Sequence, residues 1–127
     1  MKIIGFITTN KVLAQSLTAS VEKYPDLEMK VHLLLNPHQA VLDAEVLKID
    51  AAIVDVAAGN PKQTSAVRQI CEDLHRAVPG CRILLLVPQD ITEARDIAME
   101  AVLQKAANDY VFYDVSLDYL LTKLLAL

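Results

Sequence analysis

The chain is short of the residues on which several protein classes depend. It has two cysteines, Cys71 and Cys81, with neither CxxC spacing nor clustered histidines, so a disulfide scaffold and a zinc cluster are both excluded. Two reduced thiols in a cytoplasmic chain are the expectation. There is no tryptophan and aromatics make up only 5%, which leaves little to sandwich a flavin ring. Only three glycines are present, and close backbone approach to a phosphate usually needs them. No apolar run reaches the length of a membrane span. The opening MKIIGFITTN carries one lysine and an apolar run ended at once by Thr8, Thr9 and Asn10, without a small-residue cleavage site, so it reads as a first strand and not as a signal peptide. The 12 Lys and Arg are scattered and outnumbered by 16 Asp and Glu, giving a net charge of −4. No basic stripe exists for direct nucleic-acid binding.

What the chain does have is apolar residues, 54% of 127, in short blocks. That is enough for one domain, 1–127, with its own core. Five strand-like blocks alternate with five helical patterns, the pattern of a parallel sheet covered on both faces. The strands predicted are Lys2 to Thr8, Leu27 to Leu35, Ala51 to Val56, Arg82 to Val87 and Tyr110 to Tyr113. IIGFI, AAIVDV and ILLLV are continuously apolar and belong at the centre of the sheet. LEMKVHLLL instead alternates, with Leu27, Met29, Val31, Leu33 and Leu35 on one face and Glu28, Lys30 and His32 on the other, as an edge strand does. A second strand lying outside the first gives the flavodoxin-like α/β order 2-1-3-4-5 with right-handed crossovers. Its ligand crevice then lies between the ends of strands 1 and 3, at Thr8 to Asn10 and Asp55 to Gly59.

Helix starts are marked by Asn36-Pro37 and Asn60-Pro61, by Asp90 with Glu93, and by Asn10 and Ser116 as caps for the first and last helices. Ala94, Ile97, Ala98, Ala101 and Val102 form one sheet-facing stripe, and Leu117, Leu120, Leu121, Leu124 and Leu125 another, with Tyr119 and Ala126 on the far side. The chain stops at Leu127 without a polar tail, as the N-terminal part of a longer protein would. His32, His38 and His75 share no ligand spacing, and Ser16, Ser20 and Ser65 have no partnered base, so neither a metal site nor a nucleophilic triad is indicated.

The layout resembles the receiver domain of bacterial two-component response regulators, the CheY-like (βα)5 fold, over the whole chain. Asp55, at the end of strand 3, stands where a receiver keeps its phospho-accepting aspartate. The resemblance implies an acidic pair after strand 1 to hold magnesium, a hydroxyl at the end of strand 4, and a lysine followed by proline at the end of strand 5. This chain has Thr8, Thr9 and Asn10 at the first place, Val87 then Pro88 at the second, and Tyr113 then Asp114 at the third. Phosphoryl transfer depends on positioning and charge neutralisation, and the neutralising groups are missing. The family reading is therefore a pseudo-receiver, a non-enzymatic module that regulates by protein contact without cofactor or metal. Magnesium would enter only if Asp55 proved phosphorylatable.

Three alternatives stand beside it. Asp55 could be an atypical phospho-acceptor in a two-component system. It could instead simply cap its own loop through the N–H groups of Ala57, Ala58 and Gly59 and stay solvated. Thr8, Thr9, Asn10 and the start of the first helix could cradle a phosphate or flavin phosphate. The surface of helix 4, strand 5 and helix 5 is where receivers commonly dimerise or meet an output domain. It carries Tyr110, Phe112, Tyr113 and Tyr119, of which Tyr113 and Tyr119 are the candidate interface residues for a homodimer, a protein partner or an attached domain, such as an ATPase.

Overall fold

A computed structural model of the chain describes residues 1–36, 38–56, 64–88, 91–113 and 116–127; of 64–66 and 117 it describes the backbone alone. The elements are β1 (Lys2–Ile7), α1 (Lys11–Glu22), β2 (Met29–Leu34), α2 (Ala40–Leu47), β3 (Ala51–Asp55), α3 (Thr64–Ala77), β4 (Arg82–Val87), α4 (Thr92–Leu103), β5 (Asp109–Phe112) and α5 (Leu117–Ala126), with a 3₁₀ turn at Pro25–Leu27. The strands pair in parallel in the order β2-β1-β3-β4-β5, the expected CheY-like flavodoxin fold. The three continuously apolar blocks are the three central strands, and the alternating block is an edge.

Because successive strand residues point to opposite faces, the sheet divides the core in two. Ile3, Ile7, Ala52, Val54, Ile83, Leu85 and Val87 pack under α2, α3 and α4, whereas Ile4, Phe6, Ala51, Ile53, Leu84, Leu86 and Val111 pack under α1 and α5. Into the first layer α2 and α4 send the small residues Ala40, Ala44, Ala94, Ala98 and Ala101 and α3 sends Val67, Cys71 and Leu74, whereas the second receives Ala14, Leu17, Val21, Leu120, Leu121 and Leu124. Gly5 lies on the first face. A Cβ there would meet Ile49 Cδ1 and Leu34 Cδ1 at 3.1 Å each, so the bare backbone is what lets those two side chains close over β1.

Several boundaries differ from the sequence reading. Leu27 belongs to the 3₁₀ turn, and Glu28, with φ 51°, turns the chain into β2. Leu35 lies beyond β2 and is exposed, not on the buried face, because the strand ends at Leu34. Asn36 does not cap α2. Its Oδ1 accepts from His38 N at 3.1 Å in a local turn, and α2 starts later, at Ala40. α4 begins at Thr92 with Ile91 at the N-cap position; Asp90, Asn60-Pro61 and the loop Ala57 to Gly59 lie outside the described residues. Leu125 is 49% exposed. The caps at the ends of α1 and α5 are as expected: Asn10 Oδ1 accepts from Leu13 N and Ser116 Oγ from Tyr119 N, each at 3.1 Å. At the other end of α5, the Lys2 ammonium donates to the carbonyls of Leu124 and Leu127 at 2.9 and 3.1 Å, where a cation complements the helix dipole. Among the described residues no helix is long and apolar enough to cross a membrane.

Candidate functional site

β1 and β3 are hydrogen-bonded neighbours, which brings the residue after β1 beside the last residue of β3. Alternation then decides which side chains meet. Ile4 and Phe6 on β1, Ala51 and Ile53 on β3, and Val111 on β5 all face α1 and α5, and continuing the period of two adds Thr8, Asp55 and Tyr113 to that face. The three converge. Thr8 Oγ1 donates to Asp55 Oδ2 at 2.6 Å, and the Tyr113 hydroxyl donates to Asp55 Oδ1. Thr8 Oγ1 also accepts from Asn10 N at 3.0 Å, so one hydroxyl ties the carboxylate to the start of α1.

Asp55 is 3% exposed and Thr8 is fully buried. The carboxylate is therefore not solvated, as the loop-capping reading of the sequence had it; the N–H groups of Ala57, Ala58 and Gly59 that would cap it lie outside the described residues. A buried carboxylate is costly unless hydrogen-bonded, and bonds to an ionised acceptor are the strong ones. That requirement accounts for the two hydroxyls. Tyr113 sits in the turn after β5, half-buried, and its backbone N–H donates to Val87 O at 2.9 Å. Burial, and then the Asp55 carboxylate it donates to, push the Tyr113 phenol well above its ordinary value of 10.0.

The other candidates fall elsewhere. Val87 is fully buried on the opposite face of the sheet, among the residues under α3 and α4. Thr9 and Asn10 are exposed, and Asn10 spends its side-chain oxygen on the α1 cap. Tyr119 is 48% exposed on the outer side of α5. On the same flank, Lys123 Nζ bonds Asp109 Oδ2 at 2.7 Å and lies 5.7 Å from the centre of the Tyr119 ring. Tyr110 and Phe112 pack edge to face, 5.8 Å apart, against the core. The pairing of Thr8 and Tyr113 with Asp55 was missed from the sequence, although alternation on β1, β3 and β5 carried the signal.

The magnesium that the fold family implies does not fit these residues. Magnesium asks for a near-octahedral oxygen set that includes carboxylates, but next to Asp55 the described side chains offer hydroxyls already donating to it. Among the described residues no group of three or more His, Cys, Asp or Glu is placed to hold a metal.

Among solved structures, the chain is similar to a two-component response regulator from Clostridium difficile, with 20% identity and a TM-score of 0.77 over 99% of this chain and 94% of that one. It is similar to the chemotaxis protein CheY4 of Vibrio cholerae, with 15% identity and a TM-score of 0.73 over 98% and 96%. A third likeness is to a streptococcal redox sensor evolved from response regulators, with 21% identity and a TM-score of 0.78 over 99% of this chain but 50% of that one. No family model matches the chain, and no curated protein matches it. The fold is that of a response-regulator receiver domain. At these identities the likeness establishes the architecture, and the site must carry the function.

Proposed function

We propose that the chain is a receiver-like regulatory module that works by protein contact and is neither an enzyme nor phosphorylated by the magnesium-dependent route. The observation that carries this reading is the convergence of the Thr8 and Tyr113 hydroxyls on the two oxygens of buried Asp55. For phosphorylation a carboxylate oxygen must attack phosphorus while the donor's leaving group departs, and the acyl phosphate formed needs cations around it. Here Tyr113 stands where the resemblance asks for lysine, and Thr8, Thr9 and Asn10 where it asks for the acidic pair. Asp55 is instead an acceptor that pins the ends of β1 and β5 to the end of β3.

The output surface is the flank of α4, β5 and α5. A hollow of about 560 Å³ lies there, lined by Asp109, Tyr110, Phe112, Ser116, Tyr119 and Lys123, where a protein partner, a second copy or an attached output domain, such as an ATPase, would dock. The streptococcal likeness, in which this chain matches half of a longer one, supports an attached domain. Redox sensing gains no support from the cysteines. Both are buried, and desolvation above all pushes the Cys71 thiol up to about 12 and the Cys81 thiol up to about 11, away from the reactive thiolate. The phosphate-cradle reading is disfavoured because Thr8 faces a carboxylate instead of an open anion site.

The test is intact-mass measurement after incubation with a small acyl phosphate donor and magnesium. The wild-type chain is expected to stay unmodified. A single phosphate adduct, absent from Asp55→Asn, would instead establish the atypical phospho-acceptor.

A further inference from the structure

A groove runs between α3 and α4, away from both the Asp55 site and the flank of β5 and α5. At the end nearer the start of α4 it is a hollow of about 420 Å³, floored by Ile97 and Ala101 and rimmed by Glu93, Asp96 and Glu100. It continues past Arg68 and Gln104, which line both parts, into a second hollow of about 430 Å³ bordered by Arg76 and Lys105. From Glu93 to Leu103, the last residue of α4, is about 15 Å along the helix axis, and Lys105 follows just beyond it. Glu72 also lines the second hollow, paired with Arg68, so the polarity along the groove is one of net charge: carboxylates predominate at the end with Glu93, Asp96 and Glu100, and cations at the end with Arg76 and Lys105.

Among the described residues no ion pair crosses it. Arg68 bonds Glu72 and Arg76 bonds Asp73, both along α3, and Gln104 donates to Glu100 along α4 at 2.9 Å. A surface with opposite charges at its two ends is complementary to itself when turned about a twofold axis through its middle. Each acidic end then meets the partner's basic end, and the same contact is made twice. We infer that the α3–α4 groove receives a second copy of this chain in an antiparallel, two-fold dimer. Arg68 and Gln104 lie near the axis, and the partly exposed Ile97 supplies the apolar contact that charge alone would not. The flank of α4, β5 and α5 stays open to a different partner, so this inference does not rest on the functional reading of that surface.

The test is sedimentation velocity of the full chain over a concentration series at low and high salt, with two charge-reversed variants. Glu93→Lys/Glu100→Lys gives both ends of the groove a net positive charge, and Arg76→Glu/Lys105→Glu gives both a net negative one. The wild type is expected to form a dimer that weakens as salt screens the pairs. Each variant alone should dissociate at least tenfold more readily, and an equimolar mixture should recover a heterodimer, because both ends are then attractive again. That recovery also shows that both variants fold. The inference is overturned by a wild type that stays monomeric at low salt, by a dimer unaffected by the reversals, by variants that fail to recover on mixing, or by a dimer abolished by Tyr119→Ser on the other flank.

Discussion

Asp55 and Asp109 are carboxylates at strand ends, and the molecule treats them in opposite ways. Asp55 closes β3, is 3% exposed, and takes its described hydrogen bonds from the neutral hydroxyls of Thr8 and Tyr113. Asp109 opens β5 with its side chain 36% exposed, and it accepts from the ammonium of Lys123 as well as from the backbone N–H of Tyr110. A receiver's chemistry asks for the cation at the other end of β5, beside the acceptor. This chain keeps a phenol there and places a lysine where it supports the outer flank. The crevice is built to hold a buried charge in place, and the flank to present charge and aromatic surface to water.

The two sites should therefore respond differently to losing one donor. Thr8→Val keeps the shape and deletes a bond to a buried ionised acceptor, worth about 1.5–3 kcal/mol. It also strips Asn10 N of its acceptor. Chemical denaturation should show a loss of about 2–3 kcal/mol that added salt barely changes; a loss below about 0.5 kcal/mol, the scale of an ordinary surface substitution, would mean that the crevice is no tighter than the flank. Lys123→Met removes the cation from the half-exposed pair, where such contacts contribute up to about 1 kcal/mol. Its smaller cost should fade as salt rises, because wild-type screening already weakens that pair. A salt-independent loss as large as that of Thr8→Val would erase the contrast.

The sheet order was legible because burial on both faces writes continuous apolar runs into β1, β3 and β4, while β2 alternates. The site was legible in part. The sequence places Asp55 at a crevice and shows Thr8 and Tyr113 at the neighbouring strand ends, but not that they bond to it. Three positions two residues apart from core-facing neighbours, Phe6 to Thr8, Ile53 to Asp55 and Val111 to Tyr113, would have put them on one face. The same rule removes Val87, which follows Leu85 to the opposite face. The other departures lie at element ends, where periodicity no longer sees the sheet's edge. Leu35 follows the last residue of β2. Leu125, about 100° round the helix from Leu124, falls at the margin of the buried stripe. Asn36 satisfies its own turn before it can reach a helix.

If the Tyr113 hydroxyl donates to buried Asp55, its ionisation is opposed by burial and by the carboxylate. Its folded value then lies above the unfolded 10.0. The stability this bond gives is fully present below pH 10 and is lost as pH rises through the higher folded value. The raised Cys71 and Cys81 thiols lose theirs over a window that begins lower, from 9.0 up to about 12 and about 11. Tyr113 can be followed apart from them by the carbon-13 resonance of its Cζ, assigned with Tyr113→Phe, across an alkaline titration of the folded chain. The account predicts that Tyr113 stays protonated at pH 10 and ionises only well above it, as the fold begins to give way. A midpoint at or below 10 in the intact fold would contradict it, because the hydroxyl would then not be held by Asp55.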